Sequence, residues 1–336
     1  MANLMITYRC NLNCSYCFAN DYVNHDETDM TLDTADRILS WLSQSGEKMV
    51  GIMGGEPTIH RHFAELIQLV YDKQMRCSVF TNGLNLKQYL PLIKDVGGKV
   101  LINVNEPNVL GSILLETFEE MLADVLRLNM GEQITFGINI YHADYDLSYV
   151  INLLKRFHHH ELRVALAVPN IEPWKQDVLE HLSSYLPMVR NLLDELHEIN
   201  VIPTFDCNRI PACLLRSAGF DKLPYLEDLR GKTNLFEAAI PCSPVIDILP
   251  DMTAIRCFGL SDETRVDIHE FKSIRHLRRY YQETIDWLCR YTPASQNCQM
   301  CYEHKAGLCH GGCLTYHLDK INKLQQILHS ESRCEP

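Results

Sequence analysis

Apolar positions in the first two hundred residues fall into two alternating patterns. Short β-branched runs predict strands at 4–10 (LMITYRC), 48–55 (KMVGIMGG), 77–83 (CSVFTNG), 99–105 (KVLINVN), 134–141 (ITFGINIY) and 162–169 (LRVALAVP). Between them apolar residues recur at helical spacing. Leu32, Ala35, Ile38, Leu39 and Leu42 line one face of a helix over 31–42 that Thr31 can cap, and Phe63, Leu66, Ile67 and Val70 line the next. Further helical stretches are predicted around 86–95, 117–128 and 147–157.

Strand and helix alternate in six units, an order that predicts a parallel sheet with right-handed crossovers. Near-continuous apolar strands imply burial on both faces. Six units are too few for a full eight-fold barrel. The expected fold is therefore α/β, an open, partial (β/α)6 TIM-like barrel over residues 1–200. A long helical segment at 175–199 and VIPTFDC at 201–207 then lead out of the barrel into a bridging region, 201–240. From 241 to 336 the character changes. VIDILPDMTAIRC reads as a hairpin turning at Pro250 and Asp251, and helices near 270–290 and 314–329 bracket a cysteine-rich loop. A small α+β domain stapled by metal is expected there.

Composition narrows the function classes. With 336 residues, 46% of them hydrophobic, the chain can fill a sizeable core. Acids outnumber Lys and Arg 43 to 31, for a net charge of -12, which argues against a nucleic-acid partner. No secretory signal opens the chain and no apolar run is long enough to span a bilayer, so a cytoplasmic protein without a membrane partner is expected. In that reducing compartment 14 cysteines point to metal or redox chemistry and not to a disulfide framework.

Three of those cysteines, Cys10, Cys14 and Cys17, lie within RCNLNCSYC where the first strand ends, on the edge of the sheet at which parallel βα barrels gather their active sites. A closed zinc site needs four protein ligands, and so does a fully protein-ligated [4Fe-4S] cluster. Three thiolates leave one iron open to an outside molecule.

The CxxxCxxC spacing, with Tyr16 before the third cysteine, resembles the cluster-binding motif of the radical SAM superfamily. Met53-Gly54-Gly55-Glu56-Pro57 at the end of the second strand is similar to that family's GGEP motif, whose glycines let backbone approach a ligand closely. The resemblance implies that the open iron chelates S-adenosylmethionine, that one electron cleaves it to a 5′-deoxyadenosyl radical, and that this radical takes hydrogen from substrate. It implies an acceptor role toward a cationic ammonium for Glu56. Polar contacts to the methionine and ribose portions are implied for Thr81, Asn82, Asn103 and Asn105, and ribose and adenine contacts for Asn139 and Val168.

The second cysteine field, CQMCYEHKAGLCHGGC, supplies Cys298, Cys301, Cys309 and Cys313, with Cys334 beyond it and Cys242 and Cys257 upstream. It resembles the SPASM extension of radical SAM enzymes, which binds two auxiliary [4Fe-4S] clusters. Carried over, Cys298, Cys301, Cys309 and Cys334 would hold the outer cluster, and Cys242, Cys257 and Cys313 the inner one. DCNRIPAC offers Cys207 or Cys213 to complete the inner set, or the inner cluster keeps an open site. The gap between Cys301 and Cys309 is longer than the family's common spacing, Met252 stands where glycine is usual, and Phe258 stands where some relatives place an acid. No general base can be carried over. A zinc ribbon is the competing reading of the 298–313 group, and it predicts a colourless protein with near-stoichiometric zinc.

Several features attract no chemistry. His158, His159 and His160 are consecutive and cannot all face one metal, so they read as a helix terminus. Cys77 and Cys289 read as small core hydrophobes, and the charged stretch 271–281 as a solvated helix face that could touch an acidic peptide.

The resemblance implies a radical SAM oxidoreductase with S-adenosylmethionine and three [4Fe-4S] clusters as cofactors and an external flavodoxin- or ferredoxin-type electron donor. Family habit makes a ribosomally synthesised peptide the expected substrate, modified by cross-linking, epimerisation or oxidation. The first strand begins at once, so a separate leader-binding partner, a leader-independent peptide or the barrel itself is expected to do the recognition. The alternatives are a dehydrogenase acting on a small molecule or protein side chain, and a non-catalytic iron-sulfur electron carrier.

Overall fold

A computed structural model describes residues 2–26, 28–167, 177–206, 209–236, 245–260, 264–287, 293–309 and 311–317. Val168, Cys207, Cys242, Cys289, Cys334 and most of the helix expected at 314–329 lie outside the described residues. Five strands form on the predicted runs, β2 Met49–Met53, β3 Arg76–Thr81, β4 Lys99–Asn103, β5 Ile134–Ile140 and β6 Glu161–Leu166, whereas β1, Ala2–Met5, shares only Leu4 and Met5 with the expected 4–10. The helices between them are α1 Leu32–Gln44, α2 Phe63–Asp72, α3 Leu90–Asp95, α4 Pro107–Arg127 and α5 Ser148–Phe157. Thr31 caps α1, its side chain accepting from the Thr34 N–H at 3.1 Å, a contact worth about 1 kcal/mol.

α4 starts ten residues before the expected 117. Pro107 opens it, and Gly111 at φ 69, ψ 172 interrupts it, so the periodicity is regular only past the kink.

The sheet also runs past six strands. After α6 (Val178–Glu198), β7 (Ile202–Phe205) pairs parallel to β6 instead of leading out of the barrel. Pro203 fits because β7 is an edge strand. Past the short helices α7 (Ala212–Ser217) and α8 (Leu226–Leu229), the hairpin forms as β8 Ile246–Ile248 and β9 Thr253–Ile255 around a turn with Met252 at φ 66. β8 lies parallel to β1, and β10 (Val266–Asp267) pairs with β9. One ten-stranded sheet results, in the order β10-β9-β8-β1-β2-β3-β4-β5-β6-β7, with β7 and β10 as open edges. The hairpin expected within the C-terminal domain thus extends the barrel sheet itself.

The main core lies between sheet and helices. Leu4, Ile52, Val79, Ile102, Ile138 and Val164 point into it from successive strands, against Ile38, Ile67, Phe118 and Leu154 among others. The opposite face carries Asn3, Gly51 and Ser78 in one register layer. A Cβ on Gly51 would stand 2.1 Å from the Asn3 Oδ1 atom, so the layer closes only around glycine.

α9 (Ile274–Tyr281) carries the charged stretch, and it is not a free basic stripe. Arg278 grips Glu47 at 2.7 and 3.1 Å and Arg275 bonds the Ser45 carbonyl at 3.0 Å, docking α9 on the turn between α1 and β2. Cys77 is buried beside Gly98, with its thiol pushed up to about 11 by burial, as a core residue should be. His158 is the left-handed C-cap of α5, which agrees with a helix terminus.

Asn3 donates to Asp247 of β8 at 2.8 Å with both side chains buried, and among the described residues Asn3 Oδ1 has no partner. Burial pushes the Asp247 carboxyl from 3.8 to about 7, against the pull of Asn3 and Arg256. The folded chain therefore holds a proton that the unfolded chain releases between pH 3.8 and about 7, and stability falls as pH rises through that window. Asp247→Asn, whose amide can serve Asn3 without ionising, is expected to match the parent near pH 4. It should exceed the parent at pH 8 by on the order of 2 to 4 kcal/mol in denaturant unfolding. Equal pH profiles would remove the buried proton from the account.

Candidate active site

β1 ends at Met5 and the loop that follows leaves and rejoins the sheet. Ile6 N–H bonds the Met53 carbonyl at 2.8 Å and Met30 N–H bonds the Ile6 carbonyl at 2.7 Å, so 6–30 forms a closed excursion on the carboxyl edge. Arg9, just before the first thiol, chelates Asp29 at 3.1 and 2.7 Å and donates to the Ile59 carbonyl at 3.2 Å. Burial alone would raise the Asp29 carboxyl, but donors from Arg9, Thr7 and Arg61 bring it below its usual value. Charge pairing thus pins the base of the loop.

The three thiols sit on this excursion, each half-buried. Cys10 N–H donates to Asn24 Oδ1 at 2.8 Å, Cys10 Sγ accepts from Leu12 N–H at 3.4 Å, and Cys17 N–H donates to the Cys14 carbonyl at 3.1 Å. Burial pushes Cys10 up to about 12, with Glu56, Cys14 and Cys17 adding to it, and raises Cys14 and Cys17 as well. Three soft donors, each disfavoured as a lone thiolate, suit a multinuclear metal cluster that spreads positive charge among them and displaces their protons. Among the described residues no three His, Cys, Asp or Glu side chains gather closely enough to grip a single metal ion.

The GGEP turn is bonded to the loop's backbone. Gly55 N–H donates to the Thr7 carbonyl at 2.9 Å and Glu56 N–H to the Arg9 carbonyl at 2.8 Å. A Cβ on Gly55 would meet Arg9 O at 2.3 Å and Cys10 Cβ at 3.0 Å, so this glycine permits the contact that places the first ligand. Pro57 is buried at the start of the 3-10 turn Pro57–Ile59.

Glu56, for which the motif implies an ammonium contact, is the most heavily bonded side chain of the turn. It is fully buried. Its Oε1 accepts from Thr58 N–H at 3.1 Å, Thr58 Oγ1 at 2.5 Å and Thr81 Oγ1 at 2.6 Å, and its Oε2 from Asn82 N–H at 2.8 Å. Burial raises its carboxyl while these donors pull it back. It ties the ends of β2 and β3 together, and Asn82 Nδ2 extends the tie to Asn11 Oδ1 between the first two thiols at 2.7 Å.

The remaining described positions converge on the same edge. Asn139 Nδ2 donates to Asn103 Oδ1 at 2.7 Å, and Tyr16 donates to Asn105, whose Oδ1 is also 4.0 Å from Cys14 Sγ. Tyr16 stacks on Tyr141, centroids 4.3 Å apart. Sequence reading missed this neighbour and what lies behind it. Buried Glu106 accepts from Tyr141 Oη at 2.5 Å and pairs with His142 Nε2 at 2.9 Å, while Asp146 N–H reaches its other oxygen at 3.1 Å. An acid at the first residue before α4 and the YHADY stretch after β5 were the available signals.

A second, smaller core joins this loop to the hairpin. Ala19 and Tyr22 pack with Met5, Met53, Leu249, Ile255 and Phe258. Phe258 meets Phe18 edge-on at 5.2 Å and Tyr22 at 5.8 Å.

A parallel barrel sheet with three thiols and a glycine-glycine-glutamate turn at its carboxyl edge defines the class, and residues 4–164 match the profile described as the Radical SAM superfamily. Those residues are a Radical SAM domain. Over 82 residues the chain is 40% identical to an S-adenosylmethionine-dependent nucleotide dehydratase of Selenomonas ruminantium, covering 24% of this chain and 29% of that protein. Over 95 residues it is 33% identical to a probable GTP 3′,8-cyclase of Methanococcus maripaludis, covering 28% and 32%. The chain thus spans under a third of the length of these curated relatives. Among solved structures, Streptococcus suis SuiB bound to S-adenosylmethionine superposes at TM-score 0.62 and 16% identity, over 95% of this chain and 73% of SuiB. Native anSMEcpe with bound AdoMet does so at TM-score 0.64 and 14% identity, over 96% and 95%. Both share this fold.

Proposed function

We propose that the chain is a radical SAM enzyme with SPASM-type auxiliary clusters that modifies a ribosomally synthesised peptide. The observation that carries the radical chemistry is the half-buried Cys10, Cys14 and Cys17 triad, with its loop fastened to Gly55 and Glu56. Support for a peptide comes from the shared fold. SuiB is solved with its precursor peptide SuiA, and anSMEcpe with the Kp18Cys peptide, and each superposes over more than nine-tenths of this chain.

In this reading Cys10, Cys14 and Cys17 hold a [4Fe-4S] cluster, and Tyr16, Gly54, Thr81, Asn82, Asn103, Asn105, Asn139 and Val168 contact S-adenosylmethionine. When bound, the pair supplies one-electron cleavage to a 5′-deoxyadenosyl radical able to take hydrogen from an unactivated carbon. Glu56 orients, holding the β2 and β3 ends through four donors. Among the described residues its Oε2 accepts only from Asn82 N–H, so it keeps acceptor capacity for the ammonium of S-adenosylmethionine. The stacked Tyr16 and Tyr141 stand beside Asn105 and Cys14. Cys242, Cys257, Cys298, Cys301, Cys309, Cys313 and Cys334, with Cys207 or Cys213, supply the auxiliary ligands. Oxygen-labile clusters fit a reducing cytoplasm with a flavodoxin- or ferredoxin-type donor, and among the described residues no helix is long and apolar enough to cross a membrane.

A small-molecule substrate is the second reading, favoured by relatives named for nucleotide chemistry, although each aligns with about a quarter of the chain. Anaerobically reconstituted protein should be brown, with iron near twelve per chain at roughly four per site. With dithionite and S-adenosylmethionine it should release 5′-deoxyadenosine. Adding a short precursor peptide encoded beside the gene should raise that release and alter the peptide's mass or its solvent-deuterium content. No nucleoside product despite full clusters would leave an electron carrier, and stimulation by nucleoside triphosphates alone would select the second reading.

A further inference from the structure

We propose that Cys213 is a ligand of the outer auxiliary cluster, grouped with Cys298, Cys301 and Cys309, and does not complete the inner one. This deepens the proposed function and rests on its reading of the C-terminal cysteines as iron-sulfur ligands.

The placement follows from how α7 is docked. Cys213 and Arg216 stand three residues apart on α7 and so share a face. Arg216 Nη2 donates to Glu303 Oε1 at 2.6 Å. Glu303 belongs to the helical turn Tyr302–Lys305 that begins directly after Cys301. The same residue's carbonyl accepts from Leu308 N–H at 2.8 Å and Cys309 N–H at 3.2 Å, and Cys301 N–H reaches back to the Cys298 carbonyl at 3.1 Å. One residue therefore organises the segment bearing all three outer thiols, and its carboxylate is the group that α7 grips.

The far side of the approach is just as close. Gly312 lies at φ +99, and a Cβ there would meet the Arg209 carbonyl at 2.9 Å. The segment entering α7 thus lies against the turn before Cys313, while the face bearing Cys213 is held at Glu303, between Cys301 and Cys309. Cys213 thus shares the face of α7 that is held against the segment carrying Cys298, Cys301 and Cys309. Each of the four is half-buried, and four thiolates are the full protein shell of one [4Fe-4S] cluster. In consequence Cys334 is not needed for the outer set. The inner set keeps Cys242, Cys257 and Cys313, with Cys207 or an outside donor in the fourth place.

The test uses the full chain with Cys10, Cys14 and Cys17 all changed to Ala, which leaves the auxiliary iron alone, near eight per chain at four per site. In that background Cys298→Ala marks the outer cluster's electron paramagnetic resonance signal and Cys313→Ala the inner one's. Cys213→Ala is expected to alter the signal that Cys298→Ala alters and to lower iron by up to about four. Cys213→Ser, which retains an oxygen donor, should keep iron bound with a shifted signal, and Cys334→Ala should leave the outer signal unchanged. The assignment is overturned if Cys213→Ala leaves the outer signal intact, or changes the one marked by Cys313→Ala. If instead Cys298→Ala changes neither iron nor spectrum, or zinc replaces iron, the auxiliary-cluster reading itself fails and takes the assignment with it.

Discussion

Cys14→Ala should abolish 5′-deoxyadenosine formation while the C-terminal iron remains. The side chain is half-buried, its thiol lying 4.0 Å from Asn105 Oδ1, and the bond that shapes the loop, Cys17 N–H to the Cys14 carbonyl, is made by backbone. Alanine keeps that backbone bond, so folding stability should change by less than about 1 kcal/mol. What is lost is one of three soft donors, and two thiolates cannot hold a cubane cluster against solvent and oxidant. Iron should fall by about four of twelve and nucleoside release to background, with the unfolding midpoints of the two iron-free proteins equal. Retained turnover would show that the triad is not the site of chemistry.

Gly55→Ala should be nearly as damaging, for a steric reason. The added methyl would lie 2.3 Å from the Arg9 carbonyl oxygen, 2.7 Å from its carbon and 3.0 Å from Cys10 Cβ. Those atoms are backbone and the root of the first ligand, so no side-chain rotation relieves the clash. The turn must lift away, breaking Gly55 N–H to Thr7 at 2.9 Å and Glu56 N–H to Arg9 at 2.8 Å. Overpacking of 1–3 kcal/mol plus about 1 kcal/mol for each lost bond gives a destabilisation of roughly 3 to 5 kcal/mol. First-site iron should drop with it while the C-terminal iron stays. Gly131, where a Cβ meets nothing within 4 Å, is the control, and Gly131→Ala should be neutral. A Gly55→Ala protein that loads iron normally would mean the turn does not position Cys10.

The six alternating units were legible in the sequence because their apolar runs are long and bounded by regular helices, and β2, β4 and β5 fall within the predicted spans. β7 is only four residues long and holds Pro203, so its own pattern does not mark a sheet strand. It is a strand only by virtue of β6 beside it, with Val164 opposite Phe205. The same limit applies to Glu56. Its motif was visible, but Thr81 lies 25 positions away and becomes a neighbour only when β3 pairs with β2. Glu106, Tyr141 and His142 were silent for that reason too, since β4 and β5 must pair before their ends can meet. Cys213 carried a thiol but no spacing signal, and the nearness of α7 to the 301–309 segment depends on an Arg216–Glu303 pair spanning 87 positions.

The ring contact between Phe18 and Phe258 has a mechanical side. Phe18 directly follows Cys17 and Phe258 directly follows Cys257, so each ring is a covalent neighbour of a candidate ligand, and they touch edge-on at 5.2 Å. The two rings therefore give the N-terminal loop and the hairpin one common anchor, made of carbon and independent of metal at either end.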